Sequence, residues 1–339
     1  MSKIKIWVTL FMIVSLTVMV LAGCGPRQEQ GPAAVEKAWT PSGTVEIVAP
    51  GSPGGGFDLL ARSVQKTLDV DNIVPNDIIV MNKPGGGGAV GWGYLHEKRG
   101  QGEFLAVNST LLIFNNLLGR SELTFRDFTP IANLLTEWLV VAVDIDSPYK
   151  TIKEYFEAMK KNPAAMPIGV GPALGNADHI HFLKLAKAHG IDPKTMRTVV
   201  YPGSLGELIP ALLGGHVTAI PISLAEGMEY KRAGEVRILG ISSDTRLEIA
   251  PDVPTWKEQG IDVVFAPWRG IMGPPDMTPE QIKFWSDAIA RMVQQESWKA
   301  TLKDLGLFPY YMPAEEYKAY LEKRTVAFES LLREVGLIN

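Results

Sequence analysis

Short apolar, β-branched runs alternate along the chain with segments whose apolar positions recur every three or four residues. Residues 45–49 read as a buried strand, and Phe57, Leu60, Val64 and Leu68 then fall on one face of a helix. Residues 78–81 and 104–107 predict further strands, each followed by a Gly- or Asn-rich turn and another helix. Residues 138–143 predict the next strand, and Thr151 with Glu154 forms a capping box that opens a helix through Met159. The pattern continues with a strand at 168–170, a helix over 181–189, a strand at 198–201 and a second capping box at Ser204 and Glu207. That helix should stop at Gly214-Gly215, with a strand at 217–222 after it. Residues 237–241 and 263–266 are the last strand candidates, because 279–295 and 313–335 read as long helices with no strand between them.

Alternation of this kind predicts an α/β architecture with mainly parallel sheets. Two units are expected, with a change near Val143 and another near Val263. Residues 44–143 and 263–339 would form one lobe, the terminal helices packing back on it, and 144–262 the other. Two chain crossings would then act as a hinge beside a cleft.

The first residues follow a different rule. Lys3 and Lys5 precede an uncharged apolar run at 6–22, interrupted by Thr9, Ser15 and Thr17. It is a marginal membrane span and an ordinary secretory signal core. It closes on Leu21-Ala22-Gly23-Cys24, which resembles the site where lipoprotein precursors are cleaved after lipidation of the cysteine. Residues 1–23 are therefore expected to be a signal peptide and Cys24 a lipidated anchor holding the protein at a membrane surface outside the cytoplasm. The alternative is an uncleaved anchor helix with a chance cysteine. Residues 24–43 are rich in Pro, Gly, Gln and Ala and read as a flexible tether.

Cys24 is the only cysteine, so no disulfide can form within one molecule, and stability must come from a large core. The formal net charge is −4, and loss of residues 1–23 would remove lysines and no acid. That balance argues against nucleic acid or anionic lipid as the main partner. A monomer is expected.

Candidate chemistry concentrates in turns between strands and helices. Pro50 is followed by Gly51, Ser52, Pro53, Gly54, Gly55, Gly56, Phe57 and Asp58, a stretch that ends a strand and opens a helix. Glycines allow close backbone approach, and free N–H groups at a helix start favour an anion. A nucleotide site fits poorly, since no Lys-Ser/Thr pair follows Gly56 and the G-x-G-x-x-G register is absent. A tight turn without a ligand is the plain alternative. Asp58 would complement the helix dipole or hold the loop. A second glycine cluster at 85–88 occupies an equivalent turn, and Asn108, Ser109 and Thr110 close a third strand in the same layer. Two such turns in one sheet would point toward the carboxyl ends of the strands, where ligands bind. Residues 169–178 and the turn at Tyr201, Pro202, Gly203 and Ser204 offer neutral donors from the second unit. Such a composition suits a carboxylate held by N–H groups, hydroxyls and water.

Catalytic groupings are thin. The histidines are scattered, and His179 and His181, two apart on a helix, make a poor metal pair. There is no G-x-S-x-G elbow, and no cofactor or metal is expected. Arg269 could pair with an anion or stack on Trp268.

Taken together, these residues resemble the extracytoplasmic solute receptors of tripartite tricarboxylate transporters, also called Bug receptors. The resemblance rests on residues 50–55 with Asp58, Ala61 and Arg62, and on residues 82–85 with Gly87 and Gly88. It continues through Gly175, His179, Tyr201, Gly203, residues 251–255, Glu258 and Gly260, and ends on residues 268–270 with Thr278 and Pro279. It implies a two-lobed periplasmic-binding-protein (Venus-flytrap) fold that closes on a small organic acid and hands it to integral-membrane permease subunits. The implied ligand residues include Gly175, Asn176, His179, Tyr201, Gly203, Ser204 and Ser223 beside the first-lobe loops. The chain departs from the family pattern at Pro202, where Lys is usual, and at Asn176, where Ser is frequent. Near Ser223, amino-acid-binding relatives often carry an Asp that could hold an ammonium group. Its absence here implies a ligand bearing carboxylates or neutral polar groups alone, a di- or tricarboxylate or related acid. A surface hydrolase and a ligand-sensing adaptor for a membrane signalling protein are the competing readings.

Overall fold

A computed structural model describes residues 39–339 except 172 and 202–204. The expected signal peptide, the lipidation site at Cys24, most of the tether, and the ligand residues Gly203 and Ser204 lie outside the described residues. The strands are β1 (Val45–Ala49), β2 (Ile78–Asn82), β3 (Phe104–Ser109), β4 (Thr129–Thr136), β5 (Leu139–Asp144) and β6 (Ile168–Val170). They continue with β7 (Thr198–Val200), β8 (Ile220–Ser223), β9 (Val236–Ile241), β10 (Trp268–Gly273) and β11 (Phe308–Pro313). The α-helices are α1 (Gly56–Val70), α2 (Ala89–His96), α3 (Thr110–Leu117), α4 (Ile152–Lys161) and α5 (Ala177–Ala188). After them come α6 (Leu205–Leu213), α7 (Leu224–Arg232), α8 (Pro279–Met292), α9 (Glu296–Asp304) and α10 (Ala314–Glu334).

Six strands form one sheet in the order β11-β4-β10-β3-β1-β2, and three form a second in the order β8-β5-β9. The parallel pair β6-β7 extends the second sheet through a single bridge between Ile168 and Ala219, just ahead of β8. Both main sheets are covered on two faces, which is why their strands read as continuous apolar runs. Val45, Ile47 and Ala49 pack with Leu60, Val64 and Leu68 of α1, Trp285 of α8 and Trp298 of α9. Val48, between them, points the other way, toward the cluster of Trp92, Phe114, Tyr317 and Leu321. The same two-residue alternation splits β5, with Val141 and Val143 in one cluster and Val140 and Ala142 in another.

Mainly parallel sheets were the expectation, and the structure corrects it. β1, β2 and β3 are parallel, but β10 runs antiparallel to β3 and β4, and β5 runs antiparallel to both β8 and β9. The cause is the route of the chain: it enters the second sheet directly from β4 and re-enters the first directly into β10, without the helical crossover that parallel pairing needs. The sheet change falls between Thr136 and Leu139, so β5 belongs to the second sheet rather than ending the first. Residues 263–266 are not a strand; Val263 and Phe265 are buried in an irregular return segment, and the strand proper begins at Trp268. A strand, β11, does lie between the terminal helices. It pairs only with β4, and its flanking Pro309 and Pro313 suit an edge position, where a missing N–H costs little.

Local signals read from the sequence reappear where the chain chemistry is decisive. Thr151 and Glu154 form the reciprocal cap of α4, and α6 ends at Leu213 with Gly215 at φ +71°. Ser204, expected to cap α6, is among the residues outside the description.

Trp285 is fully buried and donates its indole N–H to the Gly102 carbonyl at 2.7 Å, tying α8 to the turn before β3. Trp285→Ala should cost about 3–5 kcal/mol through lost burial and the cavity left behind. Urea denaturation would read this as a lower midpoint, and a loss under 1 kcal/mol would show that α8 does not anchor the first sheet.

Candidate functional site

A cavity of about 540 Å³ opens between the two sheets. The first sheet contributes the turns at the carboxyl ends of its parallel strands, where β1, β2 and β3 give way to helices. Residues 50–52 and 55–57 form one wall, Pro84, Gly85, Gly87 and Gly88 another, and Ser109, Thr110 and Leu111 the third.

The β1 loop is held in shape from beneath. Asp58 is buried and accepts hydrogen bonds from the Gly54 N–H at 2.8 Å, from Asn82 Nδ2 at 2.9 Å and from Arg62 Nε at 3.0 Å. Asn82 also donates to the Gly51 carbonyl at 3.1 Å, so the end of β2 grips the loop at two points. Burial pushes the Asp58 carboxyl up, but the bonds from Arg62, Gly54 and Asn82 outweigh it and hold the group below the usual range. Gly54 has φ +77°, a conformation that a side chain would strain. Gly55 caps α1 without a side-chain hydrogen bond, so the first-turn N–H groups are left uncapped at the cavity wall. At Gly56 the Arg269 guanidinium lies in the space a Cβ would take, so a side chain there would displace it.

The second glycine turn is more constrained still. Gly85, Gly86, Gly87 and Gly88 all have positive φ, and Asn115 Nδ2 donates to the carbonyls of Gly86 and Gly87 at 3.2 and 3.1 Å. A Cβ on Gly88 would meet the Trp92 ring at 2.8 Å. At the third turn, Ser109 caps α3 by accepting from the Leu111 N–H at 3.2 Å.

The second sheet and its helices supply the opposite wall: Gly171, Asn176, Ala177, Asp178, Leu205, Leu208, Ile222, Ser223 and Glu226. Asn176 caps α5, accepting from the His179 N–H at 2.9 Å and donating to the Gly171 carbonyl at 2.6 Å and to Asp178 at 3.0 Å. Ser223 and Glu226 form a capping box at the start of α7. The two chain crossings complete the lining with Glu137, Leu139, Pro267, Trp268 and Arg269.

Nine of the expected ligand residues line this cavity, Gly51, Ser52, Gly55, Gly56, Phe57, Ser109, Thr110, Asn176 and Ser223, together with Pro50, Gly85, Gly87, Gly88 and Arg269 from the other stretches singled out in the sequence. Pro53, Gly54 and Asp58 belong to the same loop but not to the lining. Asn108 is turned into the core, accepting from Tyr317 Oη at 2.9 Å. Gly175 and His179 brace Asn176 from behind: the Gly175 N–H donates to His179 Nδ1 at 2.9 Å. Burial, aided by Arg120, pushes His179 down to about 4, so it stays neutral near pH 7. Tyr201 packs against the core of the second sheet, its N–H donating to the Val170 carbonyl. His181 is likewise structural, accepting from Trp256 Nε1 at 2.9 Å. Among the described residues no group of His, Cys, Asp or Glu could hold a metal ion.

The sequence reading weighed Arg269 as an anion partner or a Trp268 stack, and missed the acids of the site. Glu137 and Arg269 form an ion pair at the crossings, and Arg269 also lies 5.9 Å from the Phe57 ring centroid. Burial raises the Glu137 carboxyl against the opposing pull of Arg269. Asp178 is raised well above its ordinary value, by burial first and then by Glu226 and Glu137. Glu226 was visible in the sequence only as the fourth residue of a Ser-x-x-Glu cap, and Asp178 only as the last residue of the 169–178 turn, whose groups were read as neutral donors.

Comparison with known proteins is in line with this geometry. The family model described as tripartite tricarboxylate transporter family receptor matches residues 60–337. A protein from the gbd 5′ region of Cupriavidus necator is 26% identical over 309 residues, covering 90% of this chain and 91% of that one. The solved structure of a TctC solute-binding protein from Polaromonas shares 28% identity at a TM-score of 0.71, over 87% of this chain and 99% of that chain. MatC from Rhodopseudomonas palustris, solved with bound malate, superposes at a TM-score of 0.72 with 21% identity, over 86% of this chain and 99% of that one.

Asp58→Asn should weaken the loop brace and lower stability at pH 7 by about 1–3 kcal/mol, since hydrogen bonds to a buried charge are lost. A depressed carboxyl stabilises the fold above its unfolded pKa, and that contribution fades as pH falls through the lower folded value. The gap in unfolding free energy between wild type and variant should therefore shrink below about pH 4. A gap constant from pH 7 to pH 3 would show that the charge of Asp58 does not hold the loop.

Proposed function

The chain belongs to the tripartite tricarboxylate transporter receptor family, and from that premise we propose that it captures a small organic acid outside the cytoplasm and delivers it to a membrane permease. Members of that family are binding receptors rather than enzymes, and the fold is that of two-domain periplasmic solute-binding proteins. The observation that carries the proposal is the uncapped first turn of α1, whose glycine loop lines the cavity and is fixed by Asp58 and Asn82. Backbone N–H groups at a helix start bind a carboxylate without the flexibility of a long basic side chain. Ser109, Thr110, Asn176 and Ser223 add neutral polar groups around the same space. The malate held by MatC supports a carboxylate as the chemical class.

On this reading the segments that build the six-stranded sheet, up to Thr136 and from Trp268 onward, form one lobe, the segment between them forms the other, and closure over the ligand shifts the population toward the shut state. Cys24 would carry lipid, and the segment after it would keep the receptor at high local concentration beside its permease.

Thermal denaturation with a panel of mono-, di- and tricarboxylates should show an upward shift with at least one class of acid. A full panel without a shift would overturn the proposal. Ser52→Trp should abolish that shift while leaving the melting temperature of the free protein nearly unchanged, because Ser52 is exposed on the cavity wall. In cells, the wild type should take up a fatty-acid label that Cys24→Ser does not, with ligand binding unchanged. An unlabelled wild type would point to an uncleaved anchor helix instead.

A further inference from the structure

Two sources of positive charge meet on the first-sheet wall of the cavity. One is the start of α1, whose first-turn N–H groups are uncapped. The other is Arg269, whose Nη1, Nη2 and Cζ lie where a side chain on Gly56, the first residue of that helix, would begin. Gly56 and Arg269 both line the cavity. A helix N-terminus attracts anions and repels cations, so nothing in the stability of α1 draws a guanidinium to that end. An anion bound between the two would be attracted by both.

Arg269 is not a mobile arm. Its Nε is ion-paired with Glu137, which is 8% exposed, and its Cζ lies over the Phe57 ring, 5.9 Å from the centroid. That pairing leaves Nη1 and Nη2 without a hydrogen bond to any described residue. The side chain is 22% exposed and belongs to the cavity lining, so it is not sealed behind the loop. Two free Nη groups on a fixed plane match the two oxygens of a carboxylate.

We propose that Arg269 is a specificity-determining residue of the cleft: Nη1 and Nη2 donate to the carboxylate held at the α1 turn, and Glu137 is the positioning residue that aims them. The inference rests on the carboxylate reading above and names the side chain that recognises the acid. Backbone N–H groups alone accept a neutral carbonyl as well as a carboxylate. A fixed guanidinium adds a charge-assisted, two-point contact that only the ionised acid completes. Gly56 belongs to the same device, since a side chain there would displace the guanidinium from the wall. Glu137 holds the plane through Nε and offsets the charge of Arg269 at the floor, which a solitary buried cation would lack.

The test is calorimetric titration of the full mature chain at pH 7.5 with acetate, succinate, malate, adipate and citrate. Arg269→Gln combined with Glu137→Gln replaces the ion pair by a neutral one and leaves no buried charge alone. It should weaken every acid that binds the wild type by about tenfold or more. Arg269→Lys keeps the charge but not the fork, and should also lose about tenfold. Glu137→Ala should weaken the same acids about tenfold, and Glu137→Gln, which still accepts from Nε, only about threefold. Circular dichroism melts separate a misfolded variant from an altered site. Where the double variant melts early, Arg269→Lys decides: a tenfold loss supports the assignment and unchanged affinity overturns it. Acid binding that is equal in wild type and a well-folded double variant makes Arg269 a structural clamp only, which overturns the inference and leaves the carboxylate reading intact. A wild type that binds none of the acids overturns both.

Discussion

The two places where the chain passes between the sheets lie side by side and are bonded to each other. The Glu137 N–H donates to the Pro267 carbonyl at 2.9 Å, and Thr136 Oγ1 donates to the same oxygen at 2.8 Å. Leu139 and Ser242 close a further pair, the Leu139 N–H donating to Ser242 Oγ and the Ser242 N–H to the Leu139 carbonyl, both at 2.9 Å. This double crossing is what the cleft is built on. It fixes the floor, places the Glu137–Arg269 pair there, and leaves the walls to diverge above it. Any rotation of one sheet against the other has to pivot at these residues, because no other covalent connection joins them.

The glycine loop depends on that floor. Arg269, positioned by Glu137, fills the space beneath Gly56, while Pro50 sits where a Cβ on Gly91 would be. Asn82 and Asp58 then hold the loop from the β2 side. Glycine at 91 is thus demanded by packing, glycine at 56 leaves room for the Arg269 guanidinium, and glycine at 54 is demanded by backbone conformation. The result is a rigid cradle of N–H groups, and rigidity matters because a preorganised site loses less entropy when it binds.

Much of the fold was legible because local chemistry dictated it. Residues 45–49 and 168–170 are strands with the expected bounds, and Thr151 caps α4 as its spacing required. Failure came where pairing overrides local pattern. β10 carries Gly270 and Gly273, which weaken any strand signal, yet it lies in mid-sheet between β3 and β4. Gly270 is needed there because the Tyr317 hydroxyl and the Ala132 carbonyl leave no room for a side chain. β11 holds prolines and exposed tyrosines and exists only because β4 offers it an edge. The site divides the same way. Loop residues such as Ser52 and Ser109 were readable from their turns. Glu137, Asp178 and Glu226 were not, since 41 positions separate the first two and only the tertiary fold brings them to one cavity.

That convergence bears on how the receptor would discriminate full from empty. Coulomb energy between like charges grows as distance falls and water is excluded, so closing the cleft without ligand drives Asp178 and Glu226 toward Glu137 in a drier space. The empty closed state must then either hold uncompensated charge or take up a proton at Asp178, and each opposes closure. A ligand would stabilise the closed cleft only where its contacts with this wall offset that cost, so discrimination would come from differential stability of the shut form rather than from affinity for either wall.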